Sequence, residues 1–161
     1  MLDDEVRLRQ ATTEDAEEIR DVAWQSMEYL ELDADEMNEF REILDISPSL
    51  IENNVAYAAE NSETEEILGF YIIERSVEEF LLRYLCVSPD YMGTGIGETL
   101  FLNACEMAEE AGAEKLYIIC HKNNIEFYAG MGAEQCGEYA VEINGRSVIF
   151  QKLQLQLCSE E

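Results

Sequence analysis

Three glycines at alternate positions, Gly93, Gly95 and Gly97, stand between an apolar run ending at Val87 and a helix-spaced run from Glu98 to Ala111. Glycine lets a backbone come close to a ligand and turn its amides inward. With a helix N-terminus directly behind them, such amides make a site for phosphate or pyrophosphate. Three glycines also weaken a helix entry, a cost with no structural return, so a ligand-binding loop is expected rather than a bare turn. The spacing excludes two familiar loops. No Gly-Lys pair occurs anywhere, as a Walker A loop requires. The dinucleotide fingerprint would need glycine at position 98, which is Glu98.

The segments around the loop order themselves by periodicity. Val6 to Ala11 alternates as a strand, and Thr13 before Glu14-Asp15-Ala16-Glu17 caps a helix running to about Met27. Asp35 to Leu44 reads as a second short helix, and Pro48 breaks whatever precedes it. Val55 to Ala59 and Ile67 to Ile73 are strands joined by the polar turn Asn61 to Glu66, and Glu79 to Val87 is a third. The stripe Leu100, Phe101, Ala104, Cys105, Ala108 and Ala111 marks the helix after the loop, capped by Gly112, and Lys115 to His121 is a strand again. Asn144-Gly145 turns a hairpin within Ala140 to Leu157, with a parity shift near Gln151 that suggests a bulge. The expected fold class is α/β (α+β): a mixed, largely antiparallel sheet, helices on both faces, and one central parallel β-α-β crossover. One domain over residues 1–161, with its core at about 6–157, suits the length.

Charge excludes one class of partner. Thirty-six acidic residues face ten basic ones, for a formal charge of −26, so nucleic acid is not an expected ligand. The acid is spread along the chain, as in a general solvated surface adapted to high salt, or as a field that attracts cationic amines. Five cysteines without a Cys-x-x-Cys pair suit neither a disulfide framework nor a structural zinc site, and no metal is expected. No apolar run has the length of a membrane span, and Met1-Leu2-Asp3-Asp4-Glu5 lacks a secretion profile, so the expectation is a soluble cytoplasmic protein.

The loop Met92-Gly93-Thr94-Gly95-Ile96-Gly97, preceded by Val87 and Pro89, resembles the phosphate loop Arg/Gln-x-x-Gly-x-Gly/Ala of the GNAT superfamily of N-acetyltransferases. A second match, Asn123 through Phe127-Tyr128-Ala129-Gly130-Met131-Gly132-Ala133, is similar to that family's Asn…Phe-Tyr-x-x-Met-Gly-Ala/Phe segment. The order of elements from Val6 to Leu157 agrees as well. The resemblance implies an acetyl-CoA-dependent N-acyltransferase acting on a primary amine of a small molecule or protein, with homodimer formation left open. It implies that amides of Met92, Gly93, Thr94, Gly95, Ile96 and Gly97 hold the coenzyme A pyrophosphate. By the same resemblance the Val87 amide lies near the acetyl carbonyl, Asn123 contacts the pantetheine arm, and Tyr128 sits near the thioester sulfur. One departure is Met92, where the family has a basic or amide residue, so a side-chain contact to phosphate is missing.

Amine acetylation needs a neutral amine, a donor for the developing oxyanion and a proton for the leaving thiolate. Tyr128 is the expected acid, against the alternative of a core-edge aromatic. Glu79 is a candidate base because it lies early on the strand where many relatives carry a glutamate, against the alternative of a solvated strand end. His121 ends a strand beside the expected cleft. Cys86 and Cys120 are expected to be inert, which favours direct transfer over an acyl-enzyme. The alternative function is a non-catalytic acyl-CoA sensor of the same fold.

Overall fold

The computed structural model describes residues 5–29, 33–43, 46–76, 79–143 and 145–157. Its strands are β1 (Val6–Gln10), β2 (Val55–Asn61), β3 (Ile67–Arg75), β4 (Phe80–Val87), β5 (Lys115–Cys120), β6 (Glu134–Ile143) and β7 (Arg146–Gln156). Its α-helices are α1 (Ala16–Tyr29), α2 (Ala34–Ile43), α3 (Pro48–Asn53), α4 (Ile96–Glu110) and α5 (Ile125–Gly130). The strands form one seven-stranded sheet in the order β1-β2-β3-β4-β5-β7-β6. Every neighbouring pair is antiparallel except β4 and β5, which the α4 crossover makes parallel. Mixed sheet, helical cover and parallel crossover are as the sequence implies.

Both faces of the sheet are covered, which is why β3 is one unbroken apolar run instead of an alternation. Phe70 and Ile72 meet Ile19, Val22 and Ala23 of α1, while Tyr71 and Ile73 meet Leu100, Phe101 and Ala104 of α4. At the β1 edge, Glu60 is almost fully buried and accepts from Arg7 (2.7 Å) and from Arg9, whose guanidinium also reaches Asp15 at 2.8 Å. Burial opposes ionisation of Glu60, and the two guanidinium groups reverse this, holding its carboxyl below the ordinary range.

Three local expectations need correction. The first helix is capped at Thr12 rather than Thr13, because the Asp15 carboxylate accepts from the Thr12 amide at 2.8 Å. Pro48 does not merely break a helix. It opens α3 at the first turn, where its missing N–H costs nothing, and Ser47 Oγ accepts from the Leu50 amide at 3.1 Å. The hairpin bulge lies on β6, where Cys136 is skipped between the pairs Gln135–Leu153 and Gly137–Lys152, rather than on β7 at Gln151. Asn144 of the expected turn lies outside the described residues; Gly145 beside it has φ of 82°.

The irregularity that matters most is on β4. Ile72 pairs with Tyr84 and Ile73 with Leu82, so Arg83 is an extra residue that bends the strand. The parallel ladder with β5 spans only Leu81–Tyr117 and Leu82–Ile118 and stops at this bulge. Beyond it β4 stays with β3 up to Val87–Gly69, while β5 stays with β7 up to Cys120–Gln151. The sheet therefore opens between two adjacent strands.

Candidate active site

The opening exposes one edge of β4. The Ser88 amide donates to the Leu68 carbonyl at 2.8 Å, on the β3 side. Amides alternate sides along a strand, so the Val87 amide faces the side from which β5 has parted. Directly after Val87 a single turn, Pro89–Tyr91, leads into the glycine loop. Gly93 and Gly95 take φ of 81° and 94°, values that a side chain disfavours, and Gly95 is the N-cap of α4. The Thr94 hydroxyl donates back to the Tyr91 carbonyl and closes the turn.

A long cleft runs from this loop to the parted strands. Met92, Gly93, Thr94, Gly95 and Gly97 line it, opposite Asn123 and Phe127, with Val87 along its floor. Ile96 does not project into it; its side chain is buried in the core beneath α4, so it can offer only its amide. There is no lysine or arginine between Asp90 and Glu114, and Glu98 lines the cleft. Attraction for an anion here must come from backbone amides and the α4 N-terminus.

On the other side of the opening lies a second cavity of about 740 Å³, its open mouth included. Its walls are mainly apolar and aromatic, among them Met27, Ile119, Tyr139, Val141 and Phe150, with Arg83 and His121 as the basic members among the described residues. The two spaces share four residues: Ser26, Leu85, Asn124 and Tyr128. Tyr128 is 4% exposed and packs edge-on to Phe101 and Phe127, with ring centroids 5.4 and 5.0 Å away. Burial first, then neighbouring Cys120 and Cys86, push its phenol well above the ordinary range.

Burial likewise pushes the Cys86 thiol up to about 12, although Ser26 hydrogen-bonds it, and the Cys120 thiol up to about 11. Neither thiol supplies a thiolate near neutral pH. His121 Nδ1 accepts from the Asn123 amide at 3.1 Å, and Nε2 lies 3.9 Å from Glu36 Oε2. Burial lowers its pKa more than Glu36 raises it, so the ring is neutral, with the remaining proton on the nitrogen that faces Glu36. Among the described residues lining the aromatic cavity there is no carboxylate.

Of the residues singled out in the sequence, Val87, Met92, Gly93, Thr94, Gly95, Gly97, Asn123 and Tyr128 come together around the loop cleft. Glu79 does not join them. It precedes the first residue of β4, at the opposite end of the strand from Val87, and its carboxylate pairs with Lys152 at 3.2 Å. Ser26, Leu85 and Asn124 were not anticipated. Asn124 follows Asn123 in the matched segment and was within reach of the sequence, whereas Ser26 arrives from α1 and carries no local signal.

Comparison with known proteins agrees with this geometry. Residues 15–133 match the model of the Acetyltransferase (GNAT) family. No curated protein matches the chain. Among solved structures, a GCN5-related N-acetyltransferase from Rhodopseudomonas palustris superposes with a TM-score of 0.80 at 22% identity, over 98% of this chain and 99% of that one. The PaiA N-acetyltransferase from Thermoplasma acidophilum, in complex with coenzyme A, does so with 0.71 at 18% identity, over 94% and 98%. The ribosomal-protein-S18-alanine N-acetyltransferase from Escherichia coli gives 0.68 at 15%, over 97% and 96%. With a family match across most of its length, a parted β4–β5 pair and a glycine loop at the head of α4, this chain belongs to the GNAT acetyltransferase family.

Proposed function

We propose that this protein, acting as a single domain, moves an acetyl group from acetyl-CoA to a primary amine by direct attack. The observation that carries the reading is the meeting of the two spaces at Ser26, Leu85, Asn124 and Tyr128. A thioester lying in the loop cleft and an amine entering from the aromatic cavity would converge there. Amides from Met92 to Gly97 hold the pyrophosphate, and the exposed β4 edge and Asn123 take the pantetheine arm. The Val87 amide faces the carbonyl oxygen and stabilises the charge that develops on it. Tyr128 donates to the departing sulfur. With Cys86 and Cys120 held as thiols, no acyl-enzyme is required.

Calorimetric titration with coenzyme A tests the loop assignment, and Gly97 offers an informative variant. A Cβ at Gly97 would meet Val87 Cγ2 at 3.5 Å and Phe127 at 3.7 Å, ordinary contacts that the folded chain accommodates. Alanine in a helix is favoured over glycine by about 0.5–1 kcal/mol. Gly97→Ala, which the family's loop pattern itself allows, should therefore melt no lower than the parent protein and bind coenzyme A within about threefold of it. A bulky residue at Gly95, the N-cap of α4 with φ of 94°, should instead weaken binding at least about tenfold by blocking the backbone's approach to phosphate. Unchanged affinity in a folded Gly95→Val protein would remove the loop from the cofactor site.

The charge balance adds a salt dependence. Coenzyme A is polyanionic and the protein carries −26, so amides bind phosphate against a repulsive field. Raising ionic strength from about 0.01 M to 1 M shortens the Debye length from about 30 Å to about 3 Å. Acetyl-CoA affinity should rise several-fold over that range. A steady fall would mean that basic side chains dominate the site.

A further inference from the structure

The acceptor side of the opening carries one cationic side chain in an unusual setting. Arg83 is the bulge residue of β4 and lines the aromatic cavity two positions before Leu85, which borders both spaces. Its side chain is only 18% exposed. Among the described residues its single hydrogen bond runs from Nη1 to Glu74 Oε1 at 3.0 Å. The guanidinium carbon lies 5.5 Å from the Tyr84 ring and 5.7 Å from the Tyr139 ring. Two aromatic faces thus fix the plane of the group, while Nε and Nη2 have donors to offer. A guanidinium presents its donors as a fork that fits a carboxylate. In a chain with 36 acidic residues and 10 basic ones, a largely buried arginine on the wall of a mainly apolar and aromatic cavity, its ion pair with Glu74 using Nη1 alone, selects for an anionic group on whatever fills that cavity.

Resting on the acetyl-transfer reading above, we infer that the acceptor is a free α-amino acid with an apolar side chain. Its carboxylate lies on Arg83, its side chain lies among Met27, Ile119, Val141 and Phe150, and its amine is directed toward Leu85 and Tyr128. Attack forms the amide N–C bond and breaks the C–S bond, and the ammonium proton passes to the sulfur side or to water. A zwitterion carries no net charge, so the acidic surface neither draws it nor repels it, and selection is left to the cavity.

The test compares L-leucine, L-phenylalanine and L-methionine with their α-amides as acceptors, after coenzyme A binding has been established by titration. The amide's amine is the less basic of each pair, so any bias from protonation runs against the expected result. The free acids should exceed the amides in kcat/KM by about 10- to 100-fold, the range of a charge-assisted hydrogen bond. In Arg83→Met that ratio should collapse toward one, and Arg83→Lys, which keeps the charge but loses the fork, should restore part of it. A purely structural defect would lower acid and amide alike and leave the ratio standing. Amides used as well as acids by the parent protein, or a ratio unmoved by Arg83→Met, would overturn the assignment. Failure to bind coenzyme A at all would instead overturn the acetyl-transfer reading on which it rests.

Discussion

Replacing Tyr128 by phenylalanine should lower kcat by about 10²-fold and leave KM within about threefold. The ring is held by Phe101 and Phe127 and is buried, so the variant keeps its packing and loses only the hydroxyl. Burial makes that hydroxyl a weaker acid than an ordinary phenol, and hence far weaker than the thiol whose anion it meets. Complete proton transfer from Tyr128 to sulfur would be uphill. A hydrogen bond to the developing thiolate is not, and the loss of one such oriented donor in a water-poor site costs about 10²–10³ in rate. The proton itself comes from the amine, which becomes strongly acidic once its nitrogen bonds to the carbonyl carbon. The ratio of parent to variant kcat should accordingly stay constant from pH 7 to 9.5, because Tyr128 remains protonated throughout. A ratio that shrinks toward high pH would mean that Tyr128 ionises in turnover. A kcat within a factor of three of the parent would reduce it to a packing residue.

The parts of this site that were legible in the sequence are those whose residue types are demanded by the backbone or by a local motif. Glycine at 93 and 95 answers positive φ, and the Phe127-Tyr128 pair sits in a short helix whose neighbours specify it. What could not be read is long-range register. β4 is apolar on both faces, so one extra residue at Arg83 leaves no break in an alternation that is not there. Yet that residue parts β4 from β5 and creates the cavity. Arg83 itself reads in the sequence as an isolated charge within a strand. Glu79 shows the converse: its place early on the strand where many relatives carry a glutamate suggested a base, but it stands at the end of the strand opposite Val87, paired with Lys152. Ser47-Pro48 reads as a stop signal until tertiary contacts bury Ile46 and Ile51 on either side and make it a start.

The same burial that keeps the cleft's acids protonated should make the fold fail on the alkaline side. Cys86 is pushed up to about 12 and Cys120 to about 11, each from an ordinary value of 9.0, with burial the leading cause for both. Tyr71 and Tyr128 are raised from 10.0, again chiefly by burial. A group with a raised folded pKa contributes stability that is fully present below its unfolded value and is lost as pH rises through the folded one. For the thiols the loss begins near pH 9 and runs to about 11 or 12; for the phenols it begins near pH 10. Each proton that the unfolded chain has released and the native chain still holds costs about 1.4 kcal/mol per pH unit. Together these four groups should remove on the order of 5 kcal/mol by pH 11, a large part of the roughly 5–15 kcal/mol that holds a typical domain. Urea unfolding under reducing conditions at pH 8, 9, 10 and 11 would show it as a midpoint that falls ever more steeply. General repulsion also grows as lysines lose their charge, so a control is needed. Cys86→Ala with Cys120→Ala should lower stability at pH 8, by leaving small cavities, yet flatten the decline between pH 9 and 10. An equally steep decline in the double variant would assign the alkaline instability to Cys105, which burial also pushes up to about 11, or to surface charge, and a midpoint constant from pH 8 to 10.5 in the parent protein would show that the thiols beside Tyr128 are not shielded from water.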